Sequence, residues 1–519
     1  MRLALLTLCA VSAFGQDSVA NLIQSGNRKA ALDRIRTGAD VNAPQPDGTR
    51  ALHWAVYKID YELVDTLLAK KAAVNVKNEF GSAPLAEAVK LADLRMVKAL
   101  LDAGAEPEAE NEDGQTALML AAKGGSVSVS EMLLKAGAKV NAIEKFRKQT
   151  ALMWASTAPK NAGPMVKLLL ANGADVKPRA LYTDWPAQIT SEPRAQYRPV
   201  GGLTALLYAV RDGCYECVEA LLAAGANIDT PTPEAVTPLM MAIDNEHYDV
   251  AKLLLAKGAN PHVWDWWGRT ALYIAVDRKA AAMGGGNNPL PAGGRGGRGA
   301  VDLSGVSSLI TTLLNSEVDS NPQLNMHRPS RGSNSGRFSD TLLSTGSTPL
   351  FRAAMVNDTE LVKALLEKGA NPNVVDMGIT PFLTAAGIGQ AGRGAAGPAN
   401  TAMLELMLQR GANINAQVTG TKTYTMRVSR SPSPNEGMTA LHVAAQTGRV
   451  DLVRFLLEKG ANPNIQDSNG KKPIDLLPTA AAPTGGRGGQ APGGRGAGPA
   501  VNPAAVAEIR TLLQAASSK

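Results

Sequence analysis

At 519 residues the chain is long enough for several globular domains, yet aromatic residues make up only 4% of it and Ala, Leu and Gly dominate. That composition excludes a large aromatic core and suits close packing of small-residue helices, in an array that lengthens without needing domain boundaries. The formal net charge of +7 is small for the length; it permits weak contact with anionic polymers and does not single out nucleic acid as a partner.

The chain opens on Met1-Arg2, followed by the apolar run LALLTLCAVSAFG. A positive start, an apolar run and a small-residue exit read as a secretory signal peptide over residues 1–15, cut after Ala13 or Gly15. The protein is therefore expected to come from a bacterium and to be exported, to the periplasm or beyond. Leu8 stands where a lipid-anchoring signal before Cys9 wants a small residue, which argues against a lipoprotein; an apolar N-terminal helix of a cytosolic protein is the other reading. No later run is long enough to span a membrane, so the mature chain is expected to be soluble.

The rest is largely one phrase repeated, and its clearest copy is Asn111 to Ala142, NEDGQTALMLAAKGGSVSVSEMLLKAGAKVNA. Asp113-Gly114 is a tight-turn dipeptide, where Gly supplies the positive φ that a side chain resists, and so marks a hairpin tip. Thr116 is a helix-start residue. A short helix then carries Leu118, Ala121 and Ala122 on one face and stops at Gly124-Gly125. A second helix sets Val129, Met132 and Leu133 at helical spacing and ends at Gly137 in the place of a left-handed cap. Neither helix buries its apolar face within the unit, so units must stack.

The turn glycines Gly48, Gly81 and Gly114 are spaced by thirty-three residues. One Leu recurs as Leu52, Leu85, Leu118, Leu152, Leu206, Leu239, Leu272, Leu350 and Leu441, with Phe382 standing in once, and units close on Gly38, Gly104, Gly137, Gly173, Gly225, Gly258, Gly369, Gly411 and Gly460. On this period and these phrases the chain resembles the ankyrin-repeat family over residues 16–516. The resemblance implies an all-α solenoid of about twelve helix-turn-helix units with hairpin fingers, counting degenerate ends. It also implies a monomer that binds a protein partner on its concave face. Two units lack the closing Gly, at Lys70-Lys71-Ala72-Ala73 and at Asn315-Ser316-Glu317-Val318, and looser caps are expected there. His53 and His442 hold the position where the family's His bonds to backbone, which leaves no ligand role.

Insertions break the period at two kinds of place. Residues 178–200, 324–344 and 417–435 interrupt fingers; residues 281–302, 388–400 and 478–503 part the two helices of a unit and are rich in Gly, Ala, Pro and Arg. The second kind buries too little apolar surface to offset ordering entropy and is expected to loop out. Without interleaved aromatics, its arginines do not make an RNA-binding segment. The insertion 178–200 carries Tyr182, Trp185 and Tyr197 and is expected to be an ordered excursion or a partner-contacting arm.

No catalytic or cofactor-binding constellation is present: the histidines lack metal-ligand spacing, and there is no phosphate-binding loop and no nucleophile elbow. A non-enzymatic binding role is therefore expected. The most unusual local composition is VWDWWGRT, which places Trp264, Trp266, Trp267 and Arg269 on one finger, with Trp266, Trp267 and Arg269 at tip positions that the repeat leaves free. Exposed Trp and Arg are the side chains that most often anchor interfaces; packing of the indoles on neighbouring fingers is the competing reading. By the same register Tyr57, Lys58, Arg211, Asp212, Asp277 and Arg278 lie on the exposed strip of the first helices. Cys214 and Cys217 form a C-x-x-C pair at a helix start, open to a thiol–disulfide role or to a purely structural one. Envelope polysaccharide is a further candidate ligand for the tryptophans and Arg-bearing loops.

Overall fold

The computed structural model describes residues 18–183, 200–283, 303–324, 346–376, 378–388, 400–419, 435–478 and 502–518. These fall into two compact units, 18–183 with 200–233 and 234–518. Among the described residues the first unit holds six helix pairs. These are Val19–Gln24 with Arg28–Arg36, Ala51–Tyr57 with Tyr61–Ala69, Pro84–Lys90 with Leu94–Asp102, Ala117–Gly124 with Val127–Lys135, Ala151–Ala155 with Ala162–Ala171, and Ala205–Arg211 with Tyr215–Ala223. The second unit also holds six, beginning with Pro238–Asp244 and Tyr248–Ala256 and ending with the 3-10 turn Pro473–Leu476 and the helix Pro503–Ser517. The described residues are all-α apart from a two-residue antiparallel pair, Tyr182–Thr183 with Val200–Gly201, and isolated finger bridges. Among the described residues no helix is long and apolar enough to cross a membrane.

Seven of the first helices start on the same chemistry. Thr116, Thr150, Thr204, Thr237, Thr270, Thr348 and Thr380 accept through the side-chain hydroxyl from the amide three residues on, satisfying one of the donors that a helix start leaves open. Pro238, Pro349 and Pro381 follow directly, where a missing N–H costs nothing. Five residues past the helix start stands an alanine with at most 1% exposure: Ala55, Ala88, Ala121, Ala155 and Ala209 in the first unit, and Ala242, Ala275, Ala353 and Ala444 in the second. A methyl group there lets the next first helix approach closely.

Two ladders tie neighbouring repeats together. At the finger tips Glu79 N donates to Asp47 O at 2.8 Å and Lys145 N to Asp113 O at 2.7 Å; in the second unit Thr419 N donates to Gly378 O at 3.0 Å and Ser468 N to Glu436 O at 3.1 Å. At the opposite end of the repeat asparagines clamp the next loop from both sides. Asn75 donates to Gly104 O and accepts from Glu106 N, and Asn141 does the same with Gly173 and Asp175. In the second unit Asn373 repeats it with Gly411 and Asn413.

The finger insertions leave and rejoin at one spot. Gly202 N donates to Leu181 O, Gly346 N to Leu324 O and Gly437 N to Val418 O, at 3.2, 2.8 and 2.8 Å, so each excursion closes on the footprint of an ordinary turn. Trp185, Tyr197 and the Gly-rich segments lie outside the described residues. The looser cap expected at Lys71 is not found: Lys71 itself takes the left-handed conformation, at φ 59°, and Ala72 N still reaches Leu67 O at 3.0 Å. Glu317 likewise adopts φ 54°.

Both repeat histidines are buried bridges. His53 accepts from Arg50 N at Nδ1 and reaches Ser82 O from Nε2 at 3.1 Å; His442 accepts from Thr439 N and reaches Lys471 O at 3.0 Å. Each pins a helix start to the following finger.

Two outcomes test this packing. Ala88→Leu should cost about 1–3 kcal/mol in urea unfolding, because the side chain enters a full helix–helix contact. Burial holds the His53 and His442 rings below the ordinary imidazole range, so the folded chain resists a proton that the unfolded chain takes up near pH 6.5. Stability should therefore fall as pH drops below about 6.5 and level off once the folded rings protonate. Urea midpoints at about pH 7.5 and 5.5 should differ less in His53→Gln/His442→Gln than in the parent.

A candidate partner-binding finger

The tryptophan finger is folded around Asp265. Its carboxylate accepts from Trp267 N at 3.0 Å and Arg269 N at 2.9 Å, while the Asp265 amide donates to Arg269 O at 3.0 Å. Asn78 and Asp467 build their turns the same way, through bonds from Phe80 and Ser82 and from Asn469 and Lys471. A carboxylate or amide one residue before the tip thus reinforces the backbone bonds that close the turn. Gly268, at φ +76°, completes the reversal. The tip is held from behind, since Trp266 N donates to Glu234 O at 3.0 Å.

Asp265 has a further partner. Its buried side chain meets Arg269 Nε at 2.7 Å, Arg269 Nη1 lies 3.5 Å from Asp244 Oδ2, and the guanidinium sits 5.1 Å from the centre of the Trp267 ring. Burial disfavours the Arg269 charge, and Asp244 and Asp265 more than offset it, so the guanidinium is held even more firmly protonated than usual. Trp267 and Arg269 are therefore 9% and 6% exposed and form the root of the finger. The expectation that both lie free at the tip is corrected: two acids within the finger's reach draw Arg269 inward, and the indole follows as its lid.

Trp264 and Trp266 remain outside, 68% and 52% exposed. Trp264 overlooks a groove of about 310 Å³ that His262 and Thr270 share with Asp319, Asn321 and Gln323 of the next finger. The finger thus offers two bare indoles on a buttressed turn beside a polar-edged recess.

The first-helix strip divides in the same manner. Tyr57, Lys58, Arg211 and Asp212 are exposed; Tyr57 stacks edge-on to Trp54 at 5.8 Å, and Arg211 pairs with Asp212 at 2.7 Å. Asp277 and Arg278 are not exposed but buried, at 5% and 6%. Their helix, Ala271–Ala282, runs twelve residues where Ala205–Arg211 runs seven, so a position at the helix end elsewhere is mid-helix here. Arg278 pairs with Asp244, Asp277 receives Arg352 Nε at 2.8 Å, and Lys279 reaches Asp358 at 2.7 Å. Cys214 and Cys217 are joined as a disulfide.

Sequence reasoning passed over Phe80 and Phe146, exposed by 73% and 68% on fingers of the first unit, and over the half-buried Asp244 and the buried Asp265 and Arg352, which pair the inward charges. The Asn or Asp that recurs ahead of the finger turns at Asn78, Asn111, Asp376 and Asp467 was the available signal for Asp265. Among the described residues no group of His, Cys, Asp and Glu is placed to hold a metal ion.

Root and tip should separate on mutation. Arg269→Ala leaves Asp265 buried without its guanidinium partner and should destabilise the second unit by about 3–5 kcal/mol. Trp264→Ala and Trp266→Ala should each shift the urea midpoint by no more than about 0.5 kcal/mol equivalent.

Comparison with known proteins agrees with the architecture. The model for ankyrin repeats in three copies matches residues 8–111, 85–180, 188–265 and 206–283, and that for a single ankyrin repeat matches 345–377 and 436–468. Alpha-latrocrustotoxin-Lt1a of Latrodectus tredecimguttatus is 29% identical over 130 residues, covering 25% of this chain and 7% of the toxin. Cyclin-dependent kinase inhibitor 2A of Monodelphis domestica is 29% identical over 127 residues, covering 24% of this chain and 60% of the inhibitor. The chain thus spans less than two thirds of either relative. With stacked helix pairs, bonded finger tips and family matches over more than half its length, the chain belongs to the ankyrin-repeat family.

Proposed function

We propose that this chain is a non-enzymatic scaffold, acting outside the cytoplasm, that binds a protein partner through its fingers, with Trp264 and Trp266 at the contact centre. Ankyrin repeats serve protein–protein interaction, and that much follows from the family. The observation that carries the finer reading is the contrast within one finger: Trp267 and Arg269 are locked in place while Trp264 and Trp266 stay exposed. On a rigid turn only the indole rotamers remain to be ordered on binding, and the backbone adds no ordering entropy. Large aromatic groups beside a recess are also the usual anchors of an interface. The polar rim of the groove, from Asp319, Asn321 and Gln323, suits hydrogen bonding to a partner's backbone or polar side chains. Export is supported by the Met1-Arg2 start and the apolar run behind it.

Capture from a cell-envelope extract tests this reading. A partner retained by the wild-type chain should be lost from Trp264→Ala/Trp266→Ala, with affinity lower by about thirtyfold or more, corresponding to about 2 kcal/mol. It should be retained by Phe80→Ala/Phe146→Ala. Loss from the phenylalanine variant alone would move the contact to the first unit and overturn the assignment.

A further inference from the structure

Four second helices of the array begin with the same arrangement. The residue before each turns its side chain back to accept from the amide three residues on: Asp60 from Leu63 at 3.1 Å, Asp93 from Met96 at 3.0 Å, Asp358 from Leu361 at 3.1 Å and Asn400 from Met403 at 3.1 Å. The slot favours an oxygen acceptor and, in three of these four cases, a full negative charge. The residue three positions on is a buried hydrophobe, as with Leu63, Met96, Val129, Val250, Leu361, Met403 and Leu452.

One repeat fills both places with sulfur. Cys214 caps the nine-residue helix Tyr215–Ala223, and its Sγ accepts from Cys217 N at 3.3 Å, while Cys217 occupies the hydrophobic slot with no exposure at all. Cys214 is half-buried and Cys217 fully buried, so the pair is approached by solvent from the Cys214 side. Reduction asks for little rebuilding. A Cys214 thiolate would sit where sister units keep a carboxylate, and a neutral Cys217 thiol would sit where they keep Leu, Met or Val. Glu216, in the same first turn, opposes the thiolate, but its carboxylate leans towards Gly163 of the helix Ala162–Ala171.

We propose that Cys214 and Cys217 are a thiol–disulfide exchange site that passes its disulfide to protein dithiols. Cys214 is the sulfur attacked and Cys217 the sulfur released. A substrate thiolate forms a bond to Cys214 Sγ as the Cys214–Cys217 bond breaks, and the Cys217 thiolate takes a proton. The substrate's second thiolate then attacks its own sulfur in the mixed disulfide and expels Cys214 as a thiolate. The substrate dithiol has lost two electrons to the pair and gained a disulfide; of its two protons one is on Cys217 and one in solvent. Stabilising the departing Cys214 thiolate favours the reduced pair and so makes its disulfide an oxidant, whereas a disulfide kept for structure resists reduction.

The test uses the full chain in a Cys9→Ser background. Offered a reduced peptide with two cysteines, the disulfide form should oxidise it at least tenfold faster than an equal concentration of glutathione disulfide, read by mass spectrometry. Cys214→Asp restores the cap of sister units, should fold, and should lose the activity. After reduction, iodoacetamide should alkylate Cys214 faster in the folded chain than in urea. With 5,5′-dithiobis(2-nitrobenzoate), Cys217→Ala should retain one thionitrobenzoate on Cys214, and the reduced pair should retain none, because Cys217 displaces it. A disulfide that survives excess peptide dithiol, or a Cys214 no more reactive folded than unfolded, would show a structural crosslink and overturn the proposal.

Discussion

The structure rests on the inability of any one helix pair to bury its own apolar face. Helices of seven to nine residues are too short to be stable alone in water, and their stability must come from the neighbours they pack against. The column of alanines from Ala55 to Ala209, and again from Ala242 to Ala444, sets how closely those neighbours approach. Larger side chains in that column would force the first helices apart, and both hydrogen-bond ladders would open with them. The finger-tip ladder and the asparagine clamps thus depend on the methyl groups between the helices. Because they join only adjacent repeats, each unit is a chain of nearest-neighbour contacts in which long excursions are tolerated if their ends close on the footprint of a turn. Leu181 with Gly202, Leu324 with Gly346 and Val418 with Gly437 meet that condition.

Against this regular background the second unit carries an irregular one, the buried charges Asp265, Arg269, Asp277, Arg278 and Arg352 with the partly exposed Asp244 at their edge. Such pairs seldom add net stability over well-packed hydrophobes, since desolvation consumes most of the attraction. Their use is in selecting one arrangement: Arg269 satisfies Asp265 and approaches Asp244 only when the finger lies in a single orientation. Trp267 is then fixed under the guanidinium, and Trp264 and Trp266 are fixed outside. The longer helix Ala271–Ala282 belongs to the same system, because its added length carries Arg278 to Asp244 and Lys279 to Asp358.

The repeats were legible because their determinants are local. Thr116 announces a helix start within three residues, and Gly137 announces a stop within one turn, so period and phrase were enough to place nearly every helix pair. The site was legible only in part. Trp264 and Trp266 were found in the sequence and are exposed, but the same register assigned Trp267, Arg269, Asp277 and Arg278 to the surface. For Arg269 and Trp267 the local partner Asp265 was overlooked, whereas Arg278 and Asp277 depend on distant ones: Asp244 lies 34 residues from Arg278, and Arg352 lies 75 residues from Asp277. The residue count between the two helices of a repeat also hid where the first one ends, since a Gly-rich segment marks a break without saying how far the helix runs before it. Lys71 shows the reverse case. Its missing glycine was visible, but the surrounding fold over-determines the left-handed turn and imposes it on a lysine.

A repeat fold also makes departures informative. When eleven other helix pairs show what a position must do to keep the array standing, a residue that meets the same requirement with different chemistry stands out against a known constraint. At the starts of five second helices an acceptor is aimed at the amide three residues on, which Asp60, Asp93, Asp358 and Asn400 supply with oxygen and Cys214 supplies with sulfur. At the finger turns it is a carboxylate or amide ahead of the tip, which leaves the tip residue itself unconstrained; Glu79 occupies that place in one finger and Trp266 in another. The array sets the acceptor and the turn, whereas it does not call for a bonded sulfur pair or a bare indole. Those residues are consequently where selection for something other than packing has room to act.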